Sequence, residues 1–492
     1  MKNEVLVTPR RLVQWSWAAL GFGLACVLTG CGSNSSPTNG SGPTSGSGDG
    51  GMTPAATVAV NQSQQFQTVE GFGGGLARWS GAGGHSCAGS DTVPDSDKAM
   101  ILDLLYTDLG LTGERVLVGY QSGGGAFGAI QGVAPILAQA AQRIQANGDQ
   151  LAYNLVGVVT NALRDPDGRL LPNGAATYAS WAANGLTTLI SQYSIVVNRW
   201  SIVNEPDGNG NITQPELKQL VFATGAAFQA AGLTTQIVVP QTVVVSNVSG
   251  YATPILSDPS TLPYVKQLDY HEYDYDASQG QSPDVADRNA VRDLATQYGL
   301  TVAQRETSTD VKQNQSTFWN GTYDQGMAWA NDVMTDMVEA NAAAWDLILA
   351  DYTATPSVGL SSYVVMNYNN CVYNNFVLPP HYWTLRQFVK FVRPGAVRVG
   401  ASSSSHDVRA AAFVDSKRQQ TIVVAINNST TDLGVAFTGT PSGSATVSTV
   451  TQATVNAGQG QSGAQTSQVT AQNGQFTTTL PARSVTTFVF GS

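Results

Sequence analysis

The chain has 492 residues and a formal charge of −10, from 34 acidic against 24 basic side chains. No Lys/Arg cluster interrupts that acidity, so the electrostatic footprint for a phosphate backbone is missing and a nucleic-acid partner is excluded. Charged residues make up only 12% and apolar residues 42%, which permits a large core and leaves a Ser-, Thr-, Asn- and Gln-rich surface suited to neutral, hydroxyl-rich ligands.

Lys2, Arg10 and Arg11 precede an apolar run from Trp15 to Leu28 that closes on Leu28-Thr29-Gly30-Cys31. The run is short for a membrane span and has the layout of a secretory signal. Its ending resembles the bacterial lipoprotein box. That resemblance implies a signal over residues 1–31 and a lipidated Cys31 as the first mature residue. Gly32 in place of Asp after the cysteine implies the outer membrane, so the expected location is the cell envelope, lipid-anchored or secreted. The membrane would be touched only through the anchor. Residues 32–56 are a Gly/Ser-rich flexible linker with a reach of about 25–30 Å.

Val58, Val60 and Phe66 alternate with polar residues, so residues 57–69 read as a strand joining a C-terminal β-sandwich. From residue 70 to 394 strand and helix signals alternate. Short strands are expected where the chain enters Gly71-Phe72-Gly73-Gly74, then over Arg115–Gly119, Tyr153–Val159, Arg199–Asn204, Gln236–Val239, Gln267–His271, Thr301–Arg305 and Trp345–Leu349. Thr213 and Glu216 form a capping box ahead of Leu217, Leu220, Val221, Thr224 and Phe228 at helical spacing. Ala286 to Tyr298 reads as a helix stopped by Gly299, and Met100 to Leu109 as an earlier one. Eight strands alternating with helices fit a (β/α)8 TIM barrel; no G-x-G-x-x-G opens a helix, as a dinucleotide-binding sheet would require. After Arg393-Pro394-Gly395 helical signals stop, and residues 395–492 read as an all-β sandwich with turns of Asn, Gly, Ser and Asp.

Reactive groups of such a barrel project from the C-terminal ends of its strands. The chain after Cys31 carries seven glutamates, at 70, 114, 205, 216, 272, 306 and 339. Glu216 is used in a helix cap and Glu339 falls late in a helix. Glu205 ends the strand Arg199-Trp200-Ser201-Ile202-Val203-Asn204 and is followed by strand-breaking Pro206. Glu306 ends the seventh strand. Two carboxylates at two strand ends are what glycosidic cleavage requires, one to protonate the leaving oxygen and one to attack the anomeric carbon or activate water. The four histidines at 85, 271, 381 and 406 show no metal-ligand spacing, so no metal and no cofactor are expected.

Gln67-Thr68-Val69-Glu70-Gly71-Phe72-Gly73-Gly74 resembles the opening of glycoside hydrolase family 30, in the clan of retaining barrel glycosidases. Ile202-Val203-Asn204-Glu205-Pro206 is similar to that clan's acid/base strand, and Gln304-Arg305-Glu306-Thr307-Ser308 to its nucleophile strand. Residues 387–395 and 480–488 resemble the family's barrel exit and last sandwich strand. The resemblance covers about residues 57–492. It implies Glu205 as acid/base, Glu306 as nucleophile and net retention of anomeric configuration. It further implies that Asn204 holds the 2-hydroxyl of the sugar, that Arg115 pairs with the nucleophile, and that His271 and Tyr273 bracket it. Trp79 and Trp200 are candidate sugar-stacking faces and Arg78 a candidate substrate contact.

The sequence departs from the family after the third strand, where Val159-Thr160-Asn161-Ala162-Leu163-Arg164 replaces a Trp-Ser-Pro-Pro stretch. It departs again before the nucleophile, at Gln304-Arg305, and in the eighth strand, where Trp345 is the only tryptophan. These changes bear on the sugar rather than on the reaction. Cys87 and Cys371, in the loops after strands one and eight, are expected to form a disulfide at the cleft rim. The leading expectation is a retaining β-glycosidase on xylan or β-glucan, working as a monomer on a carbohydrate substrate. Glucosylceramidase-like activity and a non-catalytic, carbohydrate-binding surface lipoprotein stay open as alternatives.

Overall fold

A computed structural model describes residues 54–75, 92–120, 128–208, 210–275, 283–307, 322–353, 362–369, 372–457 and 463–491. Strand β1 (Ala56–Thr68) comes first, then a closed parallel barrel of β2 (Gly71–Gly75), β3 (Gly113–Gly119), β4 (Ala152–Val158), β5 (Arg199–Ser201), β6 (Gln236–Thr242), β7 (Val265–His271), β8 (Thr301–Glu306) and β9 (Ala342–Leu347). Around it run α1 (Asp95–Leu102), α2 (Gly128–Ala146), α3 (Gly174–Tyr193), α4 (Gln214–Ala230), α5 (Val248–Leu256), α6 (Val285–Tyr298), α7 (Tyr323–Val338) and α8 (Pro380–Val389). A π-helical turn, Asp103–Leu109, prolongs α1. The eight expected barrel strands are therefore all present, with ends displaced by one to three residues. The Thr213/Glu216 capping box closes on both sides at the start of α4.

The barrel interior is polar at its base. Arg305 donates to Asp346 at 3.1 Å and to Gln267 at 2.7 Å, while Arg199 donates to Glu70 at 2.8 Å. Small residues on β2 make room for these long side chains. A Cβ at Gly73 would lie 2.7 Å from Asp346 Oδ1 and 2.7 Å from the carbonyl oxygen of Gly113. The Gln304-Arg305 pair that departs from the family is thus part of the barrel packing: Gln304 Oε1 accepts from the Asp346 backbone N–H at 3.0 Å.

Two features differ from the sequence expectation. The stretch after the eighth strand, read as a long loop, holds a small sheet of β10 (Leu349–Thr353), β11 (Ser362–Asn369) and β12 (Val372–Val377). β11 is buried over Ser362–Met366 while β12 is mostly exposed and carries polar residues on both faces, so no clean alternation announces the sheet. The C-terminal region contains one short helix, Gln452–Ala457, where none was expected.

That second domain is a nine-stranded, mostly antiparallel sheet in which β1 lies between the strands Val397–Ser403 and Leu433–Thr438. All nine strands contribute to one core, with Val58, Val399, Val423, Val435 and Phe488 fully buried in it. Residues of the alternate parity, Phe413, Ile422, Val424 and Ile426, join a second core with α7 and α8 of the barrel. Period-2 alternation on two buried faces is what fixes this register. Among the described residues no helix is long and apolar enough to cross a membrane.

Candidate active site

β5 ends early, at Ser201, and Pro206 prevents its continuation. Between them Glu205 adopts φ +50°, a conformation a side-chain-bearing residue takes only when its surroundings impose it. Here the Glu205 N–H donates to the Gln241 carbonyl at 3.1 Å, and its own carbonyl accepts from Gly208 at 3.0 Å and Gly210 at 2.8 Å. The turn swings the Glu205 side chain over the barrel mouth. Arg164, in the segment that departs from the family, reaches the same turn. Its Nη1 donates to the Asn211 carbonyl at 2.8 Å, and its Nη2 donates to the Gly210 carbonyl.

Glu306 arrives from β8 on the other side. One carboxylate oxygen of Glu205, one of Glu306 and a ring nitrogen of His271 lie within 4.8 Å of one another. All three residues are buried, with 6%, 7% and 0% exposure. A retaining glycosidase holds its two carboxyl groups about 5–5.5 Å apart and an inverting one about 6.5–9.5 Å. Here the nearest carboxylate oxygens lie within 4.8 Å, short of the wider separation.

Arg115, from β3, binds this group together. Its Nη1 donates to Glu306 Oε2 at 2.6 Å and its Nη2 to Asn204 Oδ1 at 2.7 Å. The Tyr273 hydroxyl donates to Glu306 Oε1 at 2.9 Å. Burial alone would raise the Glu306 carboxyl, but the Arg115 guanidinium foremost, together with the Tyr273 hydroxyl, brings it below its ordinary 4.5. Glu306 is therefore an anion at neutral pH, held on both oxygens.

His271 Nε2 lies 3.3 Å from Arg115 Nη2 and its Nδ1 lies 3.0 Å from Glu205 Oε1. Arginine can only donate, so Nε2 is the acceptor and Nδ1 carries the proton that Glu205 Oε1 receives, an assignment made from the partners. By the same logic Asn204 Oδ1 accepts from Arg115, which makes the amide nitrogen its donor end.

The residues expected from the sequence thus divide clearly. Glu205, Glu306, Asn204, Arg115, His271 and Tyr273 converge on one place. Trp200 does not: it is fully buried between β5 and the helices, edge-on to Trp181 and Phe228, with its Nε1 donating to Tyr178 at 3.2 Å. No ring face is left for a sugar, because strand alternation turns Trp200 outward while Ser201 faces in. Trp345, also fully buried, likewise points away, donating to Asp336 at 3.1 Å. Trp79, Arg78, Cys31, Cys87 and Cys371 lie outside the described residues.

Sequence reasoning missed the layer below the site. Gln241 Oε1 accepts from Arg115 at 3.3 Å, its Nε2 donates to Ser201 at 2.6 Å, and its backbone N–H donates to Asp269 at 3.1 Å. The only signal was the inward phase of these positions on their strands. Glu205, His271 and Glu306, and separately Glu272, Asp332 and Asp336, are close enough in space to share a cation. In each group an arginine already pairs with part of the set, Arg115 with Glu306 and Arg288 with Glu272 and Asp336.

Arg115→Met is expected to cost about 3–5 kcal/mol of stability at neutral pH, because it strands a buried carboxylate. The sign with pH follows from the lowered Glu306 value: the stabilisation is present above about 4.5 and is lost as pH falls through the folded value. Thermal melts of wild type and variant should therefore converge toward acid pH, and parallel curves would contradict the pairing.

No protein-family model and no curated protein matches the chain. Solved structures do. The catalytic domain of family 30 xylanase C from Talaromyces cellulolyticus superposes with a TM-score of 0.67 at 21% identity, covering 89% of this chain and all of that one. A family 30 subfamily 8 xylanase from Clostridium acetobutylicum gives 0.65 at 21%, over 88% of this chain and 99% of its own. An endo-β-1,6-glucanase gives 0.64 at 19%, over 89% and 94%. From the barrel mouth to the last strand of the second domain, this chain is built on the fold of the family 30 glycoside hydrolases.

Proposed function

We propose that the protein is a retaining β-glycosidase that hydrolyses xylan or a β-glucan, with Glu306 as nucleophile and Glu205 as acid/base. The observation that carries this reading is the separation of the two carboxylates, within 4.8 Å, around the Arg115–His271 pair. Glu306, charged and held by Arg115 and Tyr273, attacks the anomeric carbon. The bond to the leaving oxygen breaks as the Glu205 carboxyl gives that oxygen its proton. Water then attacks the glycosyl–Glu306 ester, Glu205 takes one water proton, and Glu306 leaves as carboxylate. The sum is one water consumed per bond, with two inversions giving retention. The Asn204 amide N–H, pre-oriented by Arg115, is placed for the sugar 2-hydroxyl, where donation strengthens as charge develops on the ring.

The similarity to xylanases and to an endo-β-1,6-glucanase supports the two substrate classes. Digests of xylan, β-1,6-glucan and β-1,3-glucan, followed by NMR of the first product, test the reading. Release of the β-anomer before mutarotation is expected; an α-anomer first would mean inversion. Binding without turnover on every polymer would favour the non-catalytic alternative. We further propose that Cys31 is lipidated, so that residues 32–56 tether the enzyme at the cell envelope. Labelled fatty acid should enter the wild type and not Cys31→Ala.

A further inference from the structure

On β7 the side chains alternate. Asp269, His271 and, beyond the strand, Tyr273 face the barrel mouth, so Tyr270 and Glu272 must face outward, against α6 and α7. Glu272 is fully buried there, and one of its oxygens, one of Asp332 and one of Asp336 lie within 4.8 Å of one another. One cation serves them: Arg288 from α6 donates to Glu272 Oε1 at 2.6 Å, to Asp274 Oδ2 at 2.8 Å and to Asp336 Oδ1 at 3.3 Å. Asp336 also receives Tyr270 at 2.8 Å and Trp345 at 3.1 Å, and Tyr275 bonds Asp332. Arg409, from the second domain, is spent on Asn331 and Thr335. After this inventory, Glu272 Oε2 and Asp332 Oδ1 have no donor. Two buried carboxylate oxygens of one cluster, neither receiving a donor, call for a hydrogen shared between the two carboxyl groups.

We propose that Glu272 and Asp332 share one buried proton, and that this proton seats the end of β7, making Glu272 a positioning residue for His271 and Tyr273. The environment agrees. Burial, with Asp332 and Asp336 alongside, pushes Glu272 well above its ordinary 4.5, and burial with Asp336 pushes Asp332 up to about 7. Without the proton, two anions meet in the core one residue from the histidine that contacts Glu205 and from the tyrosine that holds Glu306. The effect on catalysis rests on the proposed glycosidase reading; the shared proton itself does not.

The sign is that of raised carboxyls: the stabilisation is full below about 4.5 and is lost as pH rises through about 7. Glu272→Gln replaces the shared hydrogen with a permanent amide N–H toward Asp332 and keeps a carbonyl for Arg288. In EDTA, the melting temperature of the wild type is expected to fall by about 3–5 °C relative to Glu272→Gln between pH 5 and 8.5. Parallel curves would overturn the proposal. Should that variant not fold, Asp332→Asn supplies the hydrogen from the opposite side and carries the same expectation. A rise in wild-type melting temperature with millimolar Ca²⁺ at pH 8, absent from the variant, would show a cation where the proton is placed and would also overturn it. The alkaline midpoint of kcat/KM should lie about half a pH unit higher in the variant. An unmoved midpoint refutes the positioning role, whereas a protein without glycosidase activity refutes the functional reading and leaves the melting result decisive.

Discussion

Glu306→Ala should lower kcat on aryl β-glycosides by on the order of 10⁵-fold, the scale seen when a covalent nucleophile is removed from an intact site. The variant keeps Arg115, Tyr273 and Asn204, so a cation and a hydroxyl donor now surround a space the size of a carboxylate. A small anion fits that space. Added azide or formate is expected to recover part of the rate, and azide should leave an α-glycosyl azide, because it attacks from the face Glu306 vacated. Rescue is the informative half of the experiment. A loss without rescue would point to collapse around the unpaired Arg115, which donates to Glu306 at 2.6 Å in the intact site. Undiminished activity would remove Glu306 from the mechanism.

Glu205→Gln should cost about 10²–10⁴-fold, the usual contribution of a positioned proton donor. The amide oxygen can still accept from His271 Nδ1, which lies 3.0 Å from Glu205 Oε1, so the variant isolates proton transfer from packing. The loss must grade with the leaving group. Dinitrophenyl glycosides need no proton to depart and should show a burst followed by slow turnover, because the second step still lacks its base. Xylo-oligosaccharides need the proton and should lose the first step as well. Uniform loss across both substrate types would argue that Glu205 positions substrate and does not transfer a proton.

Much of the site was legible because strand ends are punctuated. Pro206 ends the strand-like run immediately after Glu205, although β5 itself closes at Ser201, and Glu306 ends the short segment that follows the Gly299 helix stop. The eight-strand rhythm placed both at the same rim. Trp200 was misread for a related reason. A three-residue strand offers too little alternation to tell inside from outside, and only Trp181 and Phe228, packed edge-on against it, settle its direction. Gln241, Ser201 and Asp269 were invisible because polar residues on a strand normally signal solvent, and here they fill the barrel beneath Arg115. The sheet of β10, β11 and β12 escaped because β12 is mostly exposed and lacks a buried face.

Local chemistry in the chain determined the barrel's rhythm, its capping box and the strand break at Pro206 that marks Glu205 as a candidate, since each depends on residues a few positions apart. Tertiary structure alone decided what those carboxylates face. Arg115, His271 and Tyr273 are far from Glu205 and Glu306 in sequence, and their contacts of 2.6 to 3.3 Å arise from barrel closure. Closure also decided which buried charges are paired. Glu306 is compensated on both oxygens, while Glu272 Oε2 and Asp332 Oδ1 receive no donor, a difference no sequence spacing encodes because electrostatic energy depends on distance and burial in space.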